Sequence, residues 1–586
     1  LFCLVPCSYI IKIPILIFSE AFAMASALSR TARRLISRQN LSGLSRNQSV
    51  WTSDNIVKSP YKDVEIPNRT VVEHVWENLE RWPDKVATIC GLTNRSYTYH
   101  QLYKYSRNFA SQLRTKLGIR DGDVICTMMP NSPEYVIAIV GILTAGAELT
   151  TVNPIYTPHE VQRQLLLSKP KIIIGNIDTV AVIRESLKLA KMNIPVICIT
   201  ENDSFVPNTI SFKELTTDVD HNVLNDVKKT ADDVAILPYS SGTTGLPKGV
   251  ELTQRNIVTN CVQADVEGVK QYRDTTASFQ DAIIAVLPFY HIYGLGIITL
   301  HKLSIGAKIV TLPKFQPNTF LSTLKNHKIS LLYVVPPIVL FLGSHQESKK
   351  EHLAYVERAV SGAAPLPKLD IDRFMDKCKP DVNFIHLYGL TETSPLVSTT
   401  APGSTNYMTA GFAIPNTELR IVDSEMRNLG PNEVGELLIR GPQVMNGYRD
   451  NPEATRNVID EQGWFRSGDL ASIDEHGAVT ISDRLKELIK VKGLQVPPAE
   501  LESVLKEHPS VLDAGVLGIP DERTGEAPKA FIVLKDGHKG DEEDIKSFVA
   551  TRVAKFKRLK DVVFLDSLPK NPSGKLLRRV LREKYT

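Results

Sequence analysis

Cysteine is scarce and spread too widely for any shared task. The chain carries seven in 586 residues, and Cys90, Cys126, Cys198, Cys261 and Cys378 fall in no paired ligand spacing, which argues against a disulfide framework or a zinc site. A reducing compartment is the simpler setting. The 13 histidines form no HExxH or similar cluster, so a metal would be an ion that arrives with a nucleotide. Charge of one sign is lacking too. Lys+Arg 69 against Asp+Glu 65 leaves a net +4, too small a surplus on this length for a nucleic-acid surface. The folded body has no apolar run of the ~20 residues that a spanning helix requires. With 42% hydrophobic and 23% charged residues, the composition is globular and the length exceeds one core, so at least two domains are expected.

The first fifty residues stand apart. The leading "LFCLVPCSYIIKIPILIFSEAFA" is interrupted by Lys12 and Pro14 and closed by Glu20, and the first methionine is Met24. It reads as sequence upstream of the start, or as the apolar part of a signal peptide. From Met24 to Trp51 there are five arginines (Arg30, Arg33, Arg34, Arg38, Arg46) and no acid before Asp54, the composition of a mitochondrial transit peptide or of a disordered basic tail. Mitochondrial localisation is the expectation, with cytoplasmic and peroxisomal as alternatives. The terminal "REKYT" is not an SKL-type address. Residues 1–55 are set aside as a leader.

From about Tyr61 to Ala231 helical patterns ("TVVEHVWENLERWP", "YHQLYKYSRNFASQLRTKLG", "SPEYVIAIVGILTAGA", "TPHEVQRQLLLSK") alternate with short apolar strands ("DVICTMM", "AELTTVN", "KIIIGN", "PVICIT"). The rhythm returns in "DAIIAVLP", "AKIVTL" and "LLYVVP". It predicts an α/β fold with parallel sheets. After about Gly411, short strands with Gly and Pro turns suggest a β-rich subdomain, and a last α/β unit closes the chain.

The most informative stretch is "LPYSSGTTGLPKGV", Leu237 to Val250. An apolar strand leads into Ser240, Ser241, Gly242, Thr243, Thr244 and Gly245, and Lys248 follows. Glycines without Cβ let backbone amides approach an anion, hydroxyls add donors, and the lysine supplies charge where triphosphate oxygens would lie. A nucleotide is the expected ligand. The spacing is not that of a Walker A loop.

This loop resembles the signature of the adenylate-forming superfamily, which holds acyl-CoA synthetases, 4-coumarate:CoA ligases, beetle luciferases and peptide synthetase adenylation domains. Five further motifs in family order extend the resemblance from about Pro60 to Arg579: "SGAAPLP" (Ser361–Pro367), "YGLTET" (Tyr388–Thr393), "GWFRSGDL" (Gly463–Leu470), "DRLKELIKVKGLQVPPAELE" (Asp483–Glu502) and "PKNPSGKLLRR" (Pro569–Arg579). It implies a large AMP-binding domain over 56–485, made of parallel-sheet α/β subdomains plus a β-rich one. A small mobile C-terminal α/β domain over 486–586 would act as a lid.

The resemblance also assigns roles. Tyr388 lies against adenine, beside Gly389 and the Gly362, Ala363 and Ala364 segment. Thr391 reaches the α-phosphate, and Glu392 holds Mg²⁺. A flat ring offers a stacking face, and a hard carboxylate oxygen suits Mg²⁺. Asp469 accepts from the ribose hydroxyls, as an acceptor-only carboxylate can, with Arg484 beside it. Lys486 is the hinge. Lys575 contacts both the substrate carboxylate and the α-phosphate, offsetting the repulsion of two anions. Lys490 and the Lys492, Gly493 and Gln495 face serve the later transfer to coenzyme A. His291 gates the carboxylate site, and Tyr293, Pro395 and Leu396 line a mostly apolar slot. That slot offers no paired charge for an amino group, which leaves aryl propenoic or medium- and long-chain fatty acids. The implied cofactors are ATP, Mg²⁺ and coenzyme A, and the activity is an acid:CoA ligase. A luciferase-like monooxygenase and an enzyme that loads a carrier protein are the alternatives.

Overall fold

The computed structural model describes residues 50–200, 204, 206–240, 247–364, 366–404, 406–484, 487–491, 494–521, 523–553, 555–570 and 574–585. The basic leader up to residue 49, the loop residues Ser241, Gly242, Thr243, Thr244 and Gly245, and Lys486, Lys492 and Gly493 lie outside the described residues.

Nine strands build the sheet that matters most for the site: β1 (Val86–Cys90), β2 (Ser96–Thr98), β3 (Ala282–Ala285), β4 (Lys308–Thr311), β5 (Leu331–Val334), β6 (Arg358–Ser361), β7 (Asn383–Gly389), β8 (Leu396–Thr399) and β9 (Phe412–Ala413). Their spatial order is β9-β8-β7-β6-β5-β3-β4-β1-β2. From β7 across to β1 every neighbouring pair is parallel. Strands of this kind are covered on both faces, and Ile283, Ile284, Leu331, Leu332, Ala359, Val360 and Ile385 are accordingly buried.

A second sheet of nine strands has Val124–Met128 at its centre, parallel to Glu148–Thr151 on one side and to Ile172–Asn176 on the other. Its far edge ends in the antiparallel strands Lys248–Thr253 and Tyr239–Ser240. The helix Pro133–Thr144 touches Glu148–Thr151 of this sheet and Val86–Cys90 of the first. It is apolar all round, and every residue from Pro133 to Leu143 is buried, as a helix enclosed by other elements must be. Four helices open on the same local device. Thr70, Thr98, Thr157 and Thr253 each accept from the N–H three residues on, and each donates its own backbone N–H to the side-chain oxygen of that residue, so two otherwise orphaned amides are satisfied at each start.

The β-rich part is a five-stranded antiparallel sheet of Glu418–Val422, Gly435–Arg440, Phe465–Ile473 and Val479–Arg484 with Val57–Lys58 at its edge. Residues 50–55, set aside with the leader on sequence grounds, are packed here: Trp51 bridges to Val57, and its Nε1 donates to the Asp474 carbonyl at 2.9 Å. An indole can bury its ring and still satisfy its one donor, a property that basic composition around it conceals. Beyond Ile489 the chain forms its own sheet, Leu494–Val496, Ile489–Val491, Gly525–Leu534 and Val511–Asp521, with Asp561–Phe564 added. A separate apolar core lies beneath it, including Val496, Leu501, Leu505, Val516, Ile532 and Val549. Among the described residues no helix is long and apolar enough to cross a membrane.

The large core also holds a histidine with no use for a charge. His74 is 5% exposed, neither ring nitrogen has a hydrogen-bond partner among the described residues, and desolvation, helped by Arg69, pushes its pKa down to about 4. The unfolded chain binds a proton there from about pH 6.5 downward. The stabilisation from keeping the ring neutral is therefore complete above pH 6.5 and is lost as the pH falls towards 4, at up to about 1.4 kcal/mol per pH unit. Thermal melts from pH 7 to pH 4.5 should show a falling Tm, and a His74→Leu variant should show a shallower fall. Equal slopes in the two proteins would refute this account.

Candidate active site

Parallel strands deliver their carboxyl ends to one edge of a sheet, and connecting loops there form a ligand crevice. The segment ending in His291 leaves β3, the Val335–Pro337 turn leaves β5, Gly362–Ala364 leaves β6, and Tyr388–Glu392 ends β7. Four segments far apart in the chain thus share one edge.

The turn after β7 is held from within. The Leu390 N–H and the Thr393 hydroxyl both donate to the Pro395 carbonyl, at 3.0 and 2.6 Å, and the Ser394 hydroxyl donates to the Gln443 carbonyl at 2.9 Å. Gly389 is demanded by this closeness, since a Cβ there would lie 2.0 Å from the Pro395 oxygen. The short helical turn Thr391–Thr393 follows, with Glu392 7% exposed. The Glu392 backbone carbonyl accepts from Met445 N–H at 2.8 Å, and its Oε1 accepts from the Tyr448 hydroxyl at 3.0 Å.

Tyr448 connects two motifs. Its strand pairs with Lys248–Thr253, and Lys248 Nζ lies 4.9 Å from the centre of its ring, within cation–π range. Ser240 stands opposite Lys248 in the antiparallel register, so the two described residues that flank the glycine-rich motif are paired. Lys248, Tyr448 and Glu392 form one chain of contacts, which sets a cation and a carboxylate side by side. Among the described residues no group of three His, Cys, Asp or Glu could hold an ion by itself. A single carboxylate suits Mg²⁺, which keeps waters and takes phosphate oxygens as its other ligands.

Tyr388 and Asp469, which the sequence motifs hold apart, are a bonded pair. The phenol donates to Asp469 Oδ2 at 2.6 Å. Asp469 is 3% exposed, its N–H donates to the Ser467 hydroxyl, and Arg484 lies opposite it in the strand register. The Arg484 side chain is outside the described residues.

On the other side of the crevice, His291 is half-buried and its pKa is pushed down to about 4 by burial. It is neutral at physiological pH. Nδ1 accepts from the Tyr293 N–H at 3.2 Å, which leaves the ring proton on Nε2. The following residues Tyr293–His301 wind as a π-helix, a rare form found mostly at functional sites. Two of its glycines permit close approach. A Cβ on Gly294 would lie 2.1 Å from the Pro288 carbonyl oxygen, and one on Gly296 would lie 3.3 Å from the Ser394 oxygen and 3.4 Å from Pro395. Tyr293 comes near Gly362, whose added Cβ would be 3.8 Å from the Tyr293 ring. Tyr293, Gly362, Pro395 and Leu396 are in this way drawn together, with Ala363 in the left-handed region at φ 74° and Ala364 half-buried beside it.

Lys575 follows Gly574 near the end of the chain. Gly574 has φ +82°, and a Cβ on it would lie 2.6 Å from Pro337 Cδ, so this turn rests against the segment that leaves β5. Lys490 and Gln495 face each other across a hairpin of the small sheet, located by backbone pairing alone.

Three supports were not apparent from sequence motifs. Tyr448 is one. Asn131 is another: its amide donates to the Ala285 and Leu287 carbonyls at 3.0 and 2.8 Å and accepts from Phe289 N–H at 2.8 Å. The third is Thr151, whose hydroxyl donates to the Tyr290 carbonyl at 2.8 Å. Together the last two fasten the segment that carries His291 to the neighbouring sheet. Only the short "MPNSP" between a strand and a helix could have hinted at Asn131. The thiols of Cys126 and Cys261 are pushed up by burial, and that of Cys378 up to about 12. They stay protonated and supply no nucleophile.

Comparison with known proteins agrees with this architecture. The family described as AMP-binding enzyme matches residues 75–449, and the AMP-binding enzyme C-terminal domain matches residues 500–575. A 4-coumarate–CoA ligase 1 of Petroselinum crispum is 40% identical over 537 residues, covering 90% of this chain and 96% of that protein. A 4-coumarate–CoA ligase 3 of Oryza sativa subsp. japonica is 39% identical over 535 residues, covering 90% and 94%. Among solved structures, ATP-bound MatB from Rhodopseudomonas palustris is similar with a TM-score of 0.79 at 27% identity, covering 89% of this chain and 99% of that one. A benzoate CoA ligase from Burkholderia xenovorans LB400 gives a TM-score of 0.76 at 25% identity, covering 88% and 100%. With its family matched over more than half of its length, the chain belongs to the AMP-binding enzyme family.

Proposed function

We propose that this enzyme is an ATP-dependent acid:CoA ligase acting on an aryl propenoic or a medium- or long-chain fatty acid. A carboxylate oxygen attacks the α-phosphorus of ATP, the bond to the oxygen bridging to the β-phosphate breaks, and pyrophosphate leaves. The thiol sulfur of coenzyme A then attacks the acyl carbon, the bond to the AMP oxygen breaks, and the thiol proton passes to solvent. Relatives that bear the name 4-coumarate–CoA ligase along nearly their whole length support the second step.

The observation that carries the proposal is the seating of the Gly574–Lys575 turn against Pro337 at the carboxyl edge of the parallel sheet. It brings the backbone next to Lys575 to that edge, where Lys575 would supply a cation in addition to Lys248. Bringing a carboxylate to a triphosphate sets anion against anion, and fixed positive charge in a site shielded from water lowers that barrier most. Glu392 would hold Mg²⁺, which screens the phosphate oxygens. Tyr388 would stack on adenine while its hydroxyl steadies Asp469 for the ribose diol. A neutral His291 can offer its Nε2–H to the entering carboxylate without a charge that would hold it too firmly in the ground state.

Lys575→Ala should slow acid-dependent exchange of labelled pyrophosphate into ATP by ~10²-fold or more. Formation of the thioester from supplied acyl-adenylate should change far less. Exchange at the normal rate would remove Lys575 from the mechanism. Tyr448→Phe takes a donor from a buried carboxylate, an interaction worth about 1.5–3 kcal/mol. The KM for MgATP should accordingly rise about tenfold or more with little change in the KM for the acid. A change confined to the acid KM would show that Tyr448 serves the acyl side instead.

A further inference from the structure

The apolar slot does not stay apolar to its end. A cavity of about 20 Å³, room for one water-sized group, is lined by Leu396, Leu387, Ile297 and Tyr333 together with Lys302 and Gln271. Leu396 and Leu387 belong to the strands that flank the Tyr388–Glu392 turn, and Tyr333 lies ring to ring with Tyr293 at 6.3 Å. The cavity therefore adjoins the acyl slot.

Lys302 is 1% exposed, a costly position for an ammonium. Its Nζ lies 3.0 Å from His301 Nδ1, and His301 Nε2 lies 2.8 Å from Asp265 Oδ1. A lysine can only donate, so His301 accepts on Nδ1 and carries its proton on Nε2, facing Asp265. The imidazole is neutral, and the charges of Lys302 and Asp265 cancel. Asp281 and Arg358, the next charges out, act on Lys302 in opposite senses. Burial lowers the Lys302 pKa to about 8, which leaves it mostly charged at neutral pH. One of its three N–H groups goes to His301. Around the others stand the ring faces of Tyr272 and Tyr333, with centroids 5.0 and 5.1 Å away. Gln271 is 6% exposed, and among the described residues neither its amide oxygen nor its nitrogen has a partner. Buried polar groups are seldom left unspent. A donor-rich corner beside a hole for one small group, at the far end of an otherwise greasy slot, has the form of a recognition site.

We propose that Lys302 and Gln271 form the blind end of the acyl pocket and select acids carrying an uncharged oxygen, a carbonyl or a hydroxyl, remote from the reacting carboxylate. The inference rests on the acid:CoA ligase proposal and names the kind of acid it takes. A second carboxylate is excluded because the Lys302 charge is already answered by Asp265, and a further buried anion would be uncompensated.

The test is acid-dependent exchange of labelled pyrophosphate into ATP with matched pairs: aryl propenoates with and without a ring hydroxyl opposite the side chain, straight-chain acids with and without a keto oxygen near the far end, and dicarboxylates of equal length. The wild type should favour the oxygenated member of at least one pair by ~10²-fold or more in kcat/KM and should reject the dicarboxylates. Lys302→Met should bring that ratio close to one. Gln271→Leu, which leaves the Lys302–His301–Asp265 cluster in place, should lower the ratio in part, so the proposal is testable even if the first variant does not fold. Exchange with plain and oxygenated acids alike, a ratio that survives both substitutions, or a preference for dicarboxylates would overturn the subsite alone. No exchange with any acid would overturn the ligase proposal as well.

Discussion

Five strands running in the same direction fix where chemistry can occur. β3, β5, β6 and β7 are hydrogen-bonded in parallel with β4 beside them, so each must return to the opposite end before the next begins, and all their outgoing loops meet at one edge. Nothing in the chemistry of Gly362, Tyr388 or His291 would draw them together. The backbone ladder does so, and the side chains then have only short distances left to cover. The glycines measure how short these are: a single carbon added at Gly389 or Gly294 would lie 2.0 or 2.1 Å from a carbonyl oxygen, which no core can absorb by small adjustments.

Burying carboxylates at that edge requires partners, and they come from the antiparallel sheets. Asp469 and Glu392 are 3% and 7% exposed, and each receives a phenol hydroxyl, from Tyr388 and Tyr448. A phenol donates without contributing charge, so neither bond neutralises its carboxylate. An arginine in either place would have neutralised it. The same economy of charge appears on the acyl side, where His291 is held neutral and the Lys302–Asp265 pair cancels. Lys248, by contrast, keeps its charge over the ring of Tyr448, the donor to Glu392.

Much of this was legible in the sequence because the motifs are short and each acts within its own loop. "YGLTET" encodes a strand end, a glycine and a carboxylate in six consecutive residues, and "SSGTTGLPKG" announces an anion loop by composition. The alternation of apolar strands and helices predicted the parallel sheets for the same reason: period is a local property. What stayed hidden was every partnership across the chain. Tyr388 and Asp469 are 81 residues apart, Tyr448 and Glu392 56, and Asn131 is 158 from Phe289. No spacing rule links such positions. "NGYRD" around Tyr448 reads as a turn, and Asn131 reads as a loop residue until the carbonyls it holds are in place. Lys302 was missed for a further reason. In "ITLHKLSIG" it falls where a surface lysine would pass unnoticed, and only the π-helix before it turns the residue into the core.

Two reactions at one edge raise the question of how the small sheet can serve both. Its apolar core is separate from the large one, so moving it exposes no continuous core and costs only the interface. Across it Gly574 meets Pro337, and charged groups also face one another. Asp370, buried and with one carboxylate oxygen unpartnered among the described residues, has its pKa raised by desolvation while feeling the charges of Lys506 and Lys570 from the small sheet and Arg373 from its own helix. Lys570 sits on the approach to the Gly574–Lys575 turn and is itself paired with Asp513. Charges that attract at a distance without closing into ideal hydrogen bonds contribute orientation more than strength. In the ligase mechanism proposed above, a contact of that kind would let Lys575 serve one step and withdraw for the next, which a seam of interlocked leucines could not do at comparable cost.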